Sequence, residues 1–262
     1  MMAAFVSSLA GVLSGSLVGF SLGLIGGGGS VLATPLMLYV VGVPQTHVAI
    51  GTSAFAVSVN AFLGFLTHAR ARTVRWRAAL IFAAVGIIGA LAGSTLGKAL
   101  DGERLLFLFG LAMVVVGIAM LRGGHGGANN VETRIVATDF RVGSAAFFTG
   151  LVSGFFGIGG GILIVPALTF ATGMAMINAV GSSLLAVGAL GLTTAVNYAA
   201  SRLVDWKLAL EFICGGLVGG YFGARLAMHL GERREALRRI FAITIFVVAA
   251  YVLLRSGRSV FS

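Results

Sequence analysis

Apolar residues fall in long unbroken runs, without the alternation of a strand or the single stripe of a soluble helix. "LIFAAVGIIGALAG" (80–93), "LLFLFGLAMVVVGIAML" (105–121) and "IFAITIFVVAAYVLL" (240–254) are apolar on every side. A bilayer core is crossed by a helix of about 20 such residues, and a helix apolar all round belongs in lipid or a deep interior. The run over 3–24 predicts a first helix of this kind. No basic residue precedes it, so we read it as a retained helix rather than a cleaved leader. Two of the runs are interrupted by consecutive glycines, "GLIGGGGSVLATPL" (23–36) and "GFFGIGGGILIVPAL" (154–168), although each glycine costs roughly 1 kcal/mol in a helix interior.

These interruptions belong to an internal duplication. With a shift of about 130 residues, Gly26, Gly28, Gly29 and Pro35 fall on Gly157, Gly159, Gly160 and Pro166. "AIGTSAFAV" (49–57) falls on "AVGSSLLAV" (179–187), Trp76 on Trp206, and Gly86, Gly89 and Gly93 on Gly216, Gly219 and Gly223. Each copy predicts a first helix, a glycine break, a short proline-containing segment (30–41 and 161–172), a third segment (about 47–69 and 177–200) and two further helices. The short segments are less than a span and suit half-helices or re-entrant pieces. The expected organisation is a first transmembrane repeat over 1–121, a polar glycine-rich cytoplasmic linker over 122–139, and a second repeat over 140–262.

Composition agrees with a membrane location. Of the 262 residues 58% are hydrophobic and 10% charged, with a mean hydropathy of +1.03; a soluble domain carries about 25% charged residues. The net charge of +10 comes largely from arginines in short loops, which marks cytoplasmic loops rather than a nucleic-acid surface. "RARTVRWR" (70–77) has four arginines while its counterpart "SRLVDWK" (201–207) is nearly balanced; "KALDGER" (98–104) is balanced while "GERREALRR" (231–239) has four arginines against two glutamates. The basic loop changes places between the copies, so the two repeats are expected to have inverted topologies. The predicted fold is therefore an all-α polytopic membrane protein with glycine-broken half-helices and about 8–10 membrane segments.

Inverted repeats with interrupted segments in matching positions indicate a secondary transporter with its substrate near the midplane. Helix starts and successive glycines present backbone N–H groups to small oxyanions. The candidate substrate-binding residues are Gly26, Gly27, Gly28, Gly29 and Ser30 in the first break, and Gly157, Gly159, Gly160 and Gly161 in the second. The twinned hydroxyls Thr52, Ser53, Ser182 and Ser183 complete the set. "GIIGALAG" (86–93) and "GGLVGGYFG" (215–223) are read instead as close helix packing. Asn60 and Asn197 are assigned to packing, and Arg225 to snorkelling. His47, His68 and Glu211 complete the ionisable residues of the apolar stretches; His68 and Glu211 are placed close to an interface. Cys214 is the only cysteine, so an internal disulfide and a cysteine metal cluster are excluded. No nucleotide-binding loop, HExxH pair or intramembrane carboxylate pair occurs, so neither an enzyme nor a bound cofactor or metal is expected.

"GFSLGLIGGGGSVLATPLML" and "GLVSGFFGIGGGILIVPALTF", each followed by its "AIGTSAFAV"-type segment, resemble the duplicated signature of the sulfite exporter TauE/SafE family of membrane permeases. The resemblance implies transport of sulfite or of sulfonates such as sulfoacetate across the inner membrane by a multi-pass permease. The two copies differ at Ser30 against Gly161 and at Gly27 against Ile158, so unequal half-sites are expected. We expect sulfite export by alternating access, with a sulfonate permease or an anion channel as the alternatives. The partners are then a small anion and the lipid bilayer, not nucleic acid; a homo-oligomer is compatible with such a chain.

Overall fold

A computed structural model describes residues 2–25, 27–122, 135–157, 159–174, 176–229 and 234–260. The described residues are helical apart from short links. The helices are α1 (Met2–Ile25), a 3-10 helix (Gly27–Leu32) running into α2 (Ala33–Tyr39), α3 (Thr46–Arg70), α4 (Trp76–Ala99), α5 (Gly102–Arg122), α6 (Ile135–Phe156), α7 (Gly161–Thr172), α8 (Met176–Ala200), α9 (Trp206–His229) and α10 (Arg234–Val260). Among the described residues four helices are long and apolar enough to cross a membrane, over Ser7–Leu24, Thr46–Arg70, Trp76–Ala99 and Ile177–Ala200. At 1.5 Å per residue a 24-residue helix is about 36 Å long, against a hydrocarbon core of about 30 Å.

Element boundaries follow the expected segmentation closely, with one correction. The segment expected over 30–41 is a 3-10 turn from Gly27 that becomes α-helical only at Ala33 and ends at Tyr39. Its counterpart α7 is α-helical from Gly161 to Thr172. Of the expected linker, 123–134 lie outside the described residues, as do Gly26 and Ile158.

Packing crosses between the halves. α1 packs on α9 and α4 on α6; α3 packs on α8, α5 on α10, α3 on α9, and α4 on α8. Exchanging the halves converts α1/α9 into α4/α6 and α3/α9 into α4/α8, and maps α3/α8 and α5/α10 onto themselves. Directions follow from the residues in contact. Gly15, Gly19 and Gly23 meet Phe212, Gly216 and Gly220 in that order, so α1 and α9 run parallel; Gly89, Gly93 and Gly97 meet Phe147, Leu151 and Phe155, so α4 and α6 do as well. Gly51 meets Tyr198 and Gly64 meets Leu184, so α3 and α8 are antiparallel; Gly110 on Leu253 and Gly117 on Phe246 make α5 and α10 antiparallel.

Glycines make the close approaches. A Cβ on Gly15, Gly19, Gly215, Gly219 or Gly223 would strike backbone of the facing helix, and the same holds for Gly89, Gly93, Gly97, Gly150 and Gly154. Small residues substitute here for a hydrophobic driving force that lipid cannot supply. The packing assignment for 86–93 and 215–223 is borne out.

Hydrogen bonds repeat the exchange. The Arg75 N–H, at the start of α4, donates to Ser182 Oγ of α8 at 2.9 Å. The Asp205 N–H, at the start of α9, donates to Thr52 Oγ1 of α3 at 2.9 Å. The turns leaving α3 and α8 also match, with Arg72 at φ 54° and Arg202 at φ 57°.

Candidate functional site

The two interrupted segments pack on each other. α7 packs directly on the 3-10 helix Gly27–Leu32, and both lie against long helices that frame them: α1 behind the 3-10 helix, α6 and α8 behind α7. Each break folds the chain back on the helix it has just left. The α-carbon of Gly29 lies where a side chain would meet Val18 O and Leu22 N, and Gly160 where one would meet Ser153. Gly159 sits between Val57 and Val187, whose Cγ1 atoms would stand 3.4 and 3.5 Å from a Cβ placed there. These valines are equivalent residues of α3 and α8, at the same distance from the start of each helix, so Gly159 lies between matching positions of the two halves.

The breaks use their glycines differently. Gly157, Gly159 and Gly160 have φ of 67°, 67° and 72°, the left-handed region that side chains disfavour. None of the described residues of the first break has a positive φ; its backbone bends as a 3-10 turn instead. Among these residues left-handed backbone thus occurs in the second break only, and the two breaks differ in conformation as well as at Ser30/Gly161 and Gly27/Ile158. Gly160 caps α7 without any side-chain hydrogen bond, and its carbonyl accepts the Leu163 and Ile164 N–H groups at 2.9 and 3.0 Å. The amides of Gly161 and Ile162 precede these bonds.

The predicted hydroxyls separate into three roles. Thr52 and Ser182 are fully buried and accept the cross-half N–H bonds described above. Ser53 donates to Ile50 O at 3.1 Å and receives the hydroxyl of Thr34 at 3.0 Å, joining α3 to the proline segment. Ser183 donates to Val180 O of its own helix at 2.8 Å. Ser30 is buried within the 3-10 helix.

Two hydroxyls not singled out by the sequence stand at the breaks. Ser21 and Ser153 are 6% and 0% exposed, and neither Oγ has a hydrogen-bond partner. Each faces the glycine of its own break: Ser21 Cβ lies 2.8 Å from a Cβ built on Gly29, and Ser153 Oγ 2.8 Å from one built on Gly160. Leaving a buried hydroxyl unpaired costs about 1–3 kcal/mol. The sequence carries a signal for them, one serine in the turn before each glycine run, but a lone serine in an apolar helix ordinarily bonds its own backbone. Asn60, assigned to packing, makes no hydrogen bond through either amide atom and is wedged against Gly216. Asn197 does pack, donating to Ser94 Oγ and Thr95 Oγ1 at 2.6 and 3.1 Å.

Charged groups stay at the ends. His68 Nδ1 donates to Thr73 Oγ1 at 3.0 Å, beside the arginine loop. The exposed Arg225 guanidinium stacks 5.5 Å from the Tyr221 ring, in keeping with a snorkelling side chain. Glu211 accepts Ser8 Oγ at 2.7 Å. It lines a cavity of about 410 Å³ with Lys207, Asp205, Ser7 and Gln45, at the end where α1, α3 and α9 begin. Among the described residues no three His, Cys, Asp or Glu side chains converge to hold a metal.

Among the described residues, four apolar helices long enough to cross a membrane and two interrupted segments packed on each other define a membrane protein. Residues 9–252 match the family described as Sulfite exporter TauE/SafE. A probable membrane transporter protein of Xylella fastidiosa (strain Temecula1) is 55% identical over 94% of this chain and 95% of its own length. The probable membrane transporter protein YunE of Bacillus subtilis is 28% identical over 82% of the chain and 86% of its own, and one from Haemophilus influenzae is 26% identical over 93% and 97%. No solved structure matches. The chain belongs to the TauE/SafE family, and it is a membrane transport protein.

Proposed function

We propose that the protein is a secondary permease for a small sulfur oxyanion, sulfite first, carried across the inner membrane by alternating access. The observation that carries this reading is the packing of the two interrupted segments on each other, each break beside a buried serine whose hydroxyl has no partner. The start of the 12-residue α7 supplies N–H groups around Gly159 to Gly161, the Gly157 N–H being donated to Gly154 O at 3.2 Å, and the chain from Gly27 to Ser30 closes the opposite side. Ser153 and Ser21 donate to the anion's oxygens, with the Thr34–Ser53 pair and Ser183 beside them. Thr52 and Ser182 tie the framing helices together and enter the site only through that framework. Partial charges bind an anion that must also leave, where a buried full charge would retain it.

The carriers are two inverted repeats, 1–121 and 140–262, joined by a cytoplasmic linker over 122–139. The antiparallel pairs α3/α8 and α5/α10, with the parallel pairs α1/α9 and α4/α6, support this inversion, because equivalent helices then run in opposite directions. In this multi-pass arrangement both arginine-rich loops lie on one face.

Flux of sulfite into proteoliposomes tests the reading, with sulfoacetate, sulfate, thiosulfate and chloride as competitors. Saturable flux, stimulated by counter-substrate and lost in Gly159→Val, is the expected result. Flux that never saturates identifies a channel with the same filter. Native protein that moves none of these anions removes the assignment.

A further inference from the structure

The end of the molecule opposite the arginine loop, called a mouth below, carries a lysine-centred cluster that the central site does not use. Lys98 ends α4, and its ammonium donates to Asn197 O at 2.9 Å, Asn197 Oδ1 at 2.8 Å and Ser201 Oγ at 3.0 Å, all at the end of α8. Every one of these acceptors is neutral. The ion pairs among the described residues, Arg77–Asp139 and Lys207–Glu211, leave Lys98 without a carboxylate. Lys98 Nζ lies 5.9 Å from the Tyr198 ring centre. Tyr198 is fully buried and its hydroxyl has no hydrogen-bond partner. Its ring packs with Ile50 and Leu105, and Ile50 is the residue that a side chain on Gly157 would strike. The cluster therefore adjoins the second glycine break. Exchange of the halves puts Met228, Thr67 and His68 where Lys98, Asn197 and Tyr198 stand, so the equivalent positions repeat neither the lysine nor the tyrosine.

We propose that Lys98 and Tyr198 form a second station for a small oxyanion at this mouth, and that the arriving anion opens a latch. Anionic oxygens accept from an ammonium about twice as strongly as neutral amide or hydroxyl oxygens do. An oxyanion at the mouth therefore draws Lys98 away from Asn197 and Ser201. The three Lys98 bonds that tie the end of α4 to the end of α8 are thereby given up, while the Asn197 bonds to Ser94 and Thr95 remain, and the Tyr198 hydroxyl gains an acceptor. Because the other mouth lacks the lysine, the two gates respond differently to the same anion. This inference rests on the oxyanion reading above.

Equilibrium binding of thiosulfate to the purified full chain, at fixed ionic strength, tests it. Lys98→Met and Tyr198→Phe are expected to weaken binding by about tenfold, and Lys98→Arg to restore most of it. Asn197→Ala, which removes the competing side-chain acceptor, is expected to bind at least as tightly as the native protein. Native affinity in both Lys98→Met and Tyr198→Phe overturns the station while leaving the central site standing, provided Gly159→Val still weakens binding. If Lys98→Met does not fold, Tyr198→Phe and Lys98→Arg decide alone: affinity lost in the first and kept in the second supports the station, and native affinity in Tyr198→Phe overturns it. Absence of thiosulfate and sulfite binding to the native chain instead removes the oxyanion reading itself.

Discussion

Ser153 is held fully buried with an unpaired hydroxyl against Gly160, and such a group destabilises the resting fold by about 1–3 kcal/mol. Replacing it with alanine is therefore expected to raise the thermal midpoint, or leave it unchanged, while sulfite flux falls. A purely structural serine would give no loss of flux. The pair of measurements separates the two roles, and Ser21→Ala is expected to behave alike. Thr52 and Ser182 differ: their oxygens accept helix-start N–H groups at 2.9 Å, so alanine at either position costs about 0.5–2 kcal/mol, as for a lost cap. The twinned GTS and GSS hydroxyls are visible in the sequence, but their division of labour is not. Neighbouring residues of one helix face different partners, and those partners lie 107 and 153 residues away along the chain.

Among the helices, glycine has two uses that composition alone does not distinguish. On α1, α4, α6 and α9 it admits a neighbouring backbone, and a Cβ on Gly219 would overlap Ser16 O and crowd Phe20 N. Gly219→Val is expected to destabilise the α1–α9 pair by at least the 1–3 kcal/mol typical of overpacking, read as a fall in the detergent thermal midpoint. At Gly64 an added Cβ would stand an ordinary 3.5 Å from Leu184 Cδ1; Gly64→Ala is expected to hold or raise the midpoint, by up to about 1 kcal/mol of helix propensity. In the second break the same residue type supplies left-handed backbone at Gly157, Gly159 and Gly160. Runs of three or four glycines separate the uses in the sequence, since packing needs glycine only every third or fourth position and α9 carries no more than pairs. They do not reveal that the first break is a 3-10 turn.

For the molecule as a whole, neither half packs mainly on itself: α1 lies on α9 and α4 on α6, so each half lends a helix to the other. The equivalent turns at Arg72 and Arg202 test the inversion directly. In a Cys214→Ser background, Arg72→Cys and Arg202→Cys are expected to react with an impermeant thiol reagent from opposite faces of the membrane. Reaction from the same face removes the inverted arrangement.

The helical class, the membrane setting, the duplication and the position of both breaks were legible in the chain, because apolar run length and glycine placement are local properties that lipid reads one helix at a time. The pairing of halves, the packing of the two interrupted segments on each other, the orphaned Ser21 and Ser153 and the proposed Lys98 latch were not. Each depends on which backbones approach closely enough to touch, and that is settled by three-dimensional packing between residues far apart in the chain.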